Sequence, residues 1–262
     1  NNWRKAAKSI LTTDTKPKLL SALIRSGSKE IAITGFAKGS GMIRPDFATL
    51  LSFVFIDAKL NKTLLESIHN EALAMSFNRI TVDGDTSPND SSILVASGKA
   101  KENIKKGSPI ERKIRSSVIE IYKQLAELLI KDAEGATKKI TVKVMQAKTK
   151  EQAESVAFTV AESPLVKTAM FGNDANWGRI LSAIGRSPEV NDVTKTSIYL
   201  NEVPLVKNGN LHPKHSESKS SKAIKKKNLI INIKLGLGKT SFSVLTSDFS
   251  EDYLLINSDY RS

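Results

Sequence analysis

The chain has 262 residues and a mass of 28.6 kDa, and 40% of its residues are hydrophobic, which suits one large or two small globular domains. The absence of cysteine excludes disulfides, thiolate catalysis and cysteine-ligated zinc, so any metal site would use mainly oxygen ligands. A net charge of +13 favours the binding of polyanions such as nucleic acids. However, the lysines are spread along the chain, and no aromatic residues alternate with them to stack on bases. We therefore interpret the charge as a solvated surface and expect no nucleic-acid partner.

Membrane insertion is not expected from the sequence. No apolar run approaches the roughly 18 to 20 residues that span a bilayer. The first ten residues, NNWRKAAKSI, form an amphipathic helical pattern and not a signal peptide. We predict a cytoplasmic protein.

Helical and strand patterns alternate along the first half of the chain, which predicts a mixed α/β fold. Ser108 followed by Pro109 is a strong helix start signal. In chain order we predict a helix at 3–11, strands at 30–36 and 49–57, a helix at 62–75, strands at 79–83 and 93–96, and a helix at 108–131.

The second half continues the alternation and ends in strands. We predict a strand at 139–145, helices at 151–162 and 176–185, and strands from Thr196 onward, including 228–235 and 240–245. The lysine-rich segment HPKHSESKSSKAIKKKN, residues 212–228, is predicted to be a surface loop.

The segment KGSGMIRPDFATLL, from Lys38 to Leu51, places a lysine and a glycine-rich turn ahead of Thr49. If the bond between Ala48 and Thr49 were cut, Thr49 would carry both a hydroxyl and a free α-amine. An α-amine has a pKa of about 7.7 to 8.0, so it can act as the base for the adjacent hydroxyl near neutral pH. A threonine in this position is also typical of an ordinary strand start, and the segment alone does not decide between the two interpretations.

Further motifs accompany this segment, in a fixed order. They are TTDT at 12–15, AKGSGMI at 37–43, SFNRITVDGDTSPND at 76–90, DAEGATK at 132–138, FGNDANWGRI at 171–180 and INSDYRS at 256–262. Together they resemble the ornithine acetyltransferase family, the glutamate N-acetyltransferases of arginine biosynthesis. The resemblance extends from Trp3 to Ser262.

The resemblance implies a layered α/β sandwich that cleaves itself at the nucleophile. Residues 1–48 would be the end of an α chain and residues 49–262 the β chain, with two copies of each in a heterotetramer. Family precursors begin upstream of NNWRKAAKSI, so we interpret the sequence as a fragment. The family's oxyanion hole is a Thr-Gly pair in that upstream part, and we expect the fragment alone to be inactive.

The resemblance also implies the reaction. Thr49 would accept the acetyl group of N2-acetylornithine, release ornithine, and pass the acetyl group to glutamate in a ping-pong mechanism. No cofactor or metal is required. The sequence does not decide whether acetyl-CoA is an additional donor or whether arginine inhibits.

Several residues match the family's substrate-binding positions. Lys38 suits a substrate carboxylate, and Glu134 suits an ammonium group. Ser262 stands where the family usually has threonine, so the hydroxyl is retained and the methyl is lost. The full set is Thr12, with the adjacent Thr13 as the alternative, Lys38, Thr49, Glu134, Asn257 and Ser262.

Other polar residues are given structural roles. Asp83, Asp85 and Asp90 lack the spacing of a calcium loop and are predicted to form turns near the site. Arg179 is expected mainly to pack against neighbouring residues and to orient them, and less to contact substrate. His69 is predicted to be solvated.

Two alternatives remain at this point. An N-terminal-nucleophile amidohydrolase, such as an aminopeptidase, would use the same nucleophile but pass the acyl group to water. A basic nucleic-acid-binding protein would explain the charge but leaves KGSGMIRPDFAT without a role.

Overall fold

The computed structural model describes residues 2–26, 29–44, 50–100 and 104–260. It contains two compact units, Asn1–Ala133 and Glu134–Ser262, each with its own sheet and helices. The predicted α/β class is therefore confirmed. The division expected between residues 48 and 49 concerns chain cleavage, is not tested by these units, and stays a prediction.

The first unit contains a four-stranded sheet in the order β1-β2-β3-β4. All neighbouring strands are antiparallel except β3 and β4, which are parallel. The elements are α1 (Asn2–Ser9), β1 (Lys18–Ser26), β2 (Lys29–Lys38), β3 (Leu51–Ile56), α2 (Lys62–Met75), a 3-10 turn (Phe77–Arg79), β4 (Ser91–Ala96) and α3 (Pro109–Lys131).

The strand register brings three chain positions to one edge of this sheet. Lys38, the last residue of β2, pairs with Leu51, and Leu51 pairs with Ser91 at the start of β4. The last residue of β2 and the first residues of β3 and β4 therefore lie at the same end of the strands.

Side-chain alternation gives the sheet two different faces. Val54 and Ile56 of β3 are fully buried on one face, while Phe55 on the other face contacts Trp3 of α1 with ring centroids 5.0 Å apart. On the buried side, a Cβ added to Gly35 would lie 3.0 Å from Ile121 of α3. The helix thus approaches the sheet as closely as it does because residue 35 has no side chain.

The second unit contains a six-stranded sheet in the order β10-β5-β9-β6-β7-β8, with β5 and β9 parallel. Its core includes Val142, Ile231 and Val156, all fully buried. The elements are β5 (Lys139–Ala147), α4 (Lys150–Ala161), α5 (Pro164–Phe171), α6 (Trp177–Gly185), β6 (Ser197–Leu200), β7 (Val203–Lys207), β8 (Asn210–Leu211), α7 (Glu217–Ile224), β9 (Asn228–Lys234), β10 (Thr240–Ser247) and α8 (Glu251–Asp259).

Most predicted elements of the first unit are present. Helix α2 has both predicted bounds, and α3 begins after the Ser108 cap as expected. The predicted strand at 79–83 is wrong, since a 3-10 turn ends at Arg79 and the following residues bond to residues 42 and 43 instead of extending a sheet strand. Strand β1 was not predicted.

In the second unit, the main corrections concern helices. The lysine-rich loop contains α7, whose cap Ser216 accepts a hydrogen bond from Lys219 N. Helix α8 lies in the region predicted to be strands only, and α5 was not predicted. None of the helices in the described part of the chain is long and apolar enough to cross a bilayer.

Replacing Ser108 by alanine should lower the free energy of unfolding by about 1 kcal/mol, because its hydroxyl accepts a hydrogen bond from Glu111 N at 3.2 Å. Urea unfolding followed by circular dichroism measures the loss. Ser116→Ala removes an exposed hydroxyl from the same helix and should cost less than about 0.5 kcal/mol. Equal losses in the two variants would contradict the capping role.

Candidate functional site

The polar segment between α1 and β1 lies against the end of β2. Lys38 Nζ donates to Thr12 Oγ1 over 3.4 Å, and the hydroxyls of Thr13 and Ser40 are 2.6 Å apart. Thr12 is exposed, Lys38 is half-buried and Ser40 is buried. Two of the predicted binding residues, Thr12 and Lys38, are therefore in contact, and Thr13 makes a separate contact beside them.

The glycine-rich turn after Lys38 is fixed by backbone conformation and by a carboxylate. Gly39 has φ +149° and Met42 has φ +52°. Asp83 accepts hydrogen bonds from Met42 N at 2.7 Å and Ile43 N at 3.0 Å. Burial raises the pKa of Asp83, and the two amide donors oppose that rise by favouring the carboxylate.

The described residues on either side of positions 45–49 form hydrogen bonds with residues 81–91. Before the segment, Thr81 Oγ1 donates to Ile43 O and Thr86 Oγ1 to Arg44 O, each over 3.0 Å. After it, Ser91 N donates to Leu50 O over 2.9 Å. Ala48 and Thr49, the predicted cleavage positions and nucleophile, lie outside the described residues.

Asp90 adds a carboxylate at the start of β4. Burial raises its pKa, whereas the Ser87 hydroxyl and the charge of Lys38 act in the opposite direction. Its Oδ2 is buried and accepts no hydrogen bond from any residue that the structure describes. The residues predicted to form turns near the site thus include two half-buried carboxylates, Asp83 and Asp90.

His69 is half-buried and hydrogen-bonded, so it is less solvated than predicted. Its Nε2 lies 3.1 Å from Ser92 Oγ, which in turn lies 2.7 Å from Ser52 Oγ, and its ring packs edge-on against Tyr122. Burial lowers the pKa of His69 and raises that of Tyr122. The reason for the error is that the helical pattern alone placed His69 among polar neighbours, whereas α3 covers it.

In the second unit, Glu134 and Asn257 form a direct contact. Glu134 is only 8% exposed, and its Oε2 accepts a hydrogen bond from Asn257 Nδ2 at 2.8 Å. Asn257 also donates to Tyr253 O within α8. The pair joins the two predicted binding positions of this unit, while the third, Ser262, lies outside the described residues.

Gly135 allows this contact. It has φ +63°, its carbonyl accepts a hydrogen bond from Ser250 Oγ at 2.6 Å, and an added Cβ would lie 2.5 Å from both Ser250 Oγ and Tyr253 N. The turn after Glu134 is therefore pressed against the start of α8 as closely as a backbone without a side chain permits.

A buried lysine close to α8 was missed by sequence reasoning. Lys167 Nζ donates to Thr246 Oγ1 at 2.8 Å and to Ser247 O, and it lies 4.4 Å from the ring centre of Phe249. Asp248, which directly precedes Phe249 in the sequence, accepts hydrogen bonds from Thr137 and Lys138 N. A lysine on an amphipathic helix gives no sequence signal of burial, because its partners are about 80 residues away.

Three further observations complete the description of the site. Arg179 donates to Leu165 O at 2.9 Å, which agrees with the packing role predicted for it. Across the described residues, no three acidic or imidazole side chains are grouped so that they could hold a metal ion. A cavity of about 490 Å³ between β1 and α3, lined by Leu20 and Ile121 among others, contains none of the predicted site residues.

Comparison with known proteins gives consistent results. The sequence model of the ArgJ family matches residues 1–262. Proteins described as arginine biosynthesis bifunctional protein ArgJ are similar in sequence: that of Psychrobacter arcticus is 44% identical over 265 residues, and that of Pseudomonas fluorescens is 40% identical over 266. Each match spans 100% of this chain and 65% of the relative, so the chain spans about two thirds of the relatives' length.

A solved structure is also similar. The crystal structure of arginine biosynthesis bifunctional protein argJ from Bacillus halodurans has a TM-score of 0.73 and is 33% identical. The match covers 78% of this chain and 96% of that chain. The similarity supports the layered α/β fold described above.

Alanine at Gly135 should destabilise the protein more than alanine at Gly107, which also has a positive φ but has no atom within 4 Å of an added Cβ. Both variants bear the backbone strain of about 1 to 2 kcal/mol. Gly135→Ala should cost at least about 1 kcal/mol more, because Ser250 and the backbone of Tyr253 must shift. Chemical unfolding of both variants provides the measurement, and equal losses would contradict the close packing.

Proposed function

The chain belongs to the ArgJ family, and we propose that it forms part of an enzyme that transfers acetyl groups from N2-acetylornithine to glutamate. The observation that carries the proposal is the contact between Thr12 and Lys38 at the entrance to the turn that leads to Thr49. The contact places a hydroxyl and a cation, two groups that can bind a substrate carboxylate, a few residues before the predicted nucleophile in the sequence.

In the proposed reaction, the hydroxyl of Thr49 attacks the acetyl carbonyl of acetylornithine. The free α-amine of Thr49 takes the hydroxyl proton and returns a proton to the departing nitrogen, so that the amide bond breaks and ornithine leaves. The acetyl group is then an ester on Thr49. The amine of glutamate attacks this ester, forms N-acetylglutamate, and restores the hydroxyl.

The remaining residues would bind the substrates. Lys38 and Thr12 would hold a carboxylate. Glu134, oriented by Asn257, would accept hydrogen bonds from an ammonium group, and the Ser262 hydroxyl would assist at the chain's last position. None of these steps requires a cofactor.

Cleavage before Thr49 is part of the proposal. The match to the Bacillus halodurans structure covers 78% of this chain but 96% of the other chain, which shows that the other chain is the shorter of the two. Residues 49–262 make up about four fifths of this chain, which is the length expected of a chain that starts at the nucleophile. This agreement supports a division between Ala48 and Thr49.

We also propose a cytoplasmic heterotetramer with two copies of each cleavage product. Acetyl-CoA is proposed as an additional acetyl donor, and an assay with acetyl-CoA and glutamate alone tests it. Incubation of the full-length protein with acetylornithine, with and without glutamate, separates acetyl transfer from hydrolysis, because a hydrolase would release acetate in both cases.

Self-cleavage should divide a full-length protein that contains this chain into two pieces on a denaturing gel. The piece that contains residues 49–262 should begin with TLLSFVF, and Thr49→Ala should remain intact because the nucleophile is absent. Thr63→Ala, an exposed threonine on α2, is the control and should cleave normally. A folded wild-type protein that stays whole on long incubation would contradict the proposal.

Lys38→Ala and Glu134→Ala should lower kcat/KM, each by the equivalent of about 2 to 5 kcal/mol, because a substrate charge loses its partner in a desolvated site. Thr49→Ser keeps a hydroxyl and an α-amine and should retain partial activity. Lys62→Ala, an exposed lysine, serves as the control.

Mass spectrometry after quenching should find the acetyl adduct on residue 49 in the wild type and in Thr49→Ser. An adduct on another residue, or unchanged kcat/KM in both charge variants, would show that the site residues are assigned wrongly.

A further inference from the structure

A buried ionic cluster lies beneath the contact between Thr12 and Lys38. Lys18, the first residue of β1, is 2% exposed, and its Nζ contacts a carboxylate oxygen of Asp14 and, at 2.6 Å, Oδ2 of Asp132. The side chain of Asp14 is 0% exposed and that of Asp132 is 10% exposed. We call these three residues the Lys18 triad.

The triad connects the two segments that carry Thr12 and Lys38. One oxygen of Asp14 accepts a hydrogen bond from Gly39 N at 2.8 Å, and the other accepts one from Thr12 N at 3.4 Å. Lys18 Nζ also lies 3.5 Å from Gly39 O. A single carboxylate therefore holds the backbone of Thr12 and the residue directly after Lys38.

Asp132 fixes the far side of the same segment. It accepts hydrogen bonds from Thr15 N at 3.0 Å and Lys16 N at 3.2 Å, and from the Thr15 hydroxyl. Residues 12–16 are thus held at one end by Asp14 and at the other by Asp132, with Lys18 between the two carboxylates.

The charges of the triad do not favour a purely stabilising role. Burying one ammonium and two carboxylates carries a desolvation cost that the mutual attraction offsets only in part, so such clusters are weak evidence for stability. Burial alone would raise the pKa of Asp14. The hydrogen bond from the Gly39 amide and the charge of Lys18 have a larger combined effect in the opposite direction, so the pKa of Asp14 is below its usual value. Asp14 is therefore ionised at neutral pH and can bind both amides.

We propose that the Lys18 triad is a positioning device that sets the distance between Thr12 and Lys38 and thereby determines affinity for the substrate carboxylate. The inference rests on the proposed function, since it assumes that these two side chains bind substrate. Thr12 is exposed and Lys38 half-buried, so a ligand can reach them, whereas the triad is sealed beneath and acts only through them.

The test is Asp14→Asn in the full-length enzyme. Asparagine has nearly the same shape, but one of the two oxygens becomes an NH2 donor, so the Gly39 and Thr12 amides, which bond to different oxygens of Asp14, cannot both keep their acceptor. The apparent KM for acetylornithine should rise about tenfold, a coupling of roughly 1.4 kcal/mol, with kcat changed less than threefold. Asp192→Asn, at an exposed aspartate of the second unit, is the matched control and should leave both constants unchanged.

A double-mutant cycle distinguishes positioning from general destabilisation. If Asp14 acts by setting the distance between Thr12 and Lys38, then Asp14→Asn should raise KM by a smaller factor in a Thr12→Ala background than in the wild type. A lower melting temperature with unchanged KM, or additive effects in the cycle, would overturn the proposal. If Asp14→Asn does not fold, Asp132→Asn decides in the same way, since it removes the charge beside Lys18 but retains one acceptor.

The result also separates this inference from the proposed function. If Thr12→Ala and Lys38→Ala leave KM unchanged, the assignment of the binding residues is wrong and the triad has nothing to position. If those two variants raise KM and the Asp14 and Asp132 variants do not, only the positioning role is overturned.

Discussion

The two hydrogen bonds that Asp83 accepts from Met42 and Ile43 determine the course of the chain after the glycine-rich turn. Met42 has a left-handed backbone, a conformation that is unfavourable for a residue with a side chain and persists only where its surroundings compensate. The carboxylate provides that compensation by binding two consecutive amides. The conformation of Met42 and Ile43, which precede the predicted nucleophile in the sequence, thus depends on Asp83, whose side chain is 41 residues further along the chain than Met42.

The second unit uses the same kind of device in a different place. Asp248 binds backbone groups of Thr137 and Lys138, and Ser250 binds the carbonyl of Gly135, so the strand that follows Glu134 and the segment that leads to α8 are tied together by short contacts. Glu134 and Asn257 are brought into contact by this arrangement. In both units, a buried carboxylate, Asp14 or Asp248, accepts hydrogen bonds from backbone amides of a segment next to the candidate binding residues.

The sequence predicted those parts of the fold that depend on local signals. The cap and proline at 108–109 and the apolar spacing at 62–75 gave α3 and α2 with accurate bounds. The strand expected at 79–83 is absent, since Thr81 and Asp83 bond to the glycine turn. Lys18 could not be recognised as buried, because one of its partners is 114 residues away and nothing in the local pattern indicates it. Motif matching identified Thr12, Lys38, Glu134 and Asn257 as separate binding positions, and the contacts between them could not be derived from spacing.

The position of β3 in its sheet has a consequence for the assembly of the protein. Strands β1 and β2 precede residue 49, whereas β3 and β4 follow it, and the β2–β3 ladder joins the two pairs. A break before Thr49 would convert this ladder from a contact within one polypeptide into an interface between two. The folding of the sheet would then be a bimolecular association whose midpoint depends on protein concentration. A precursor that folds before it is cut avoids this cost, because the strands pair while they are still covalently connected.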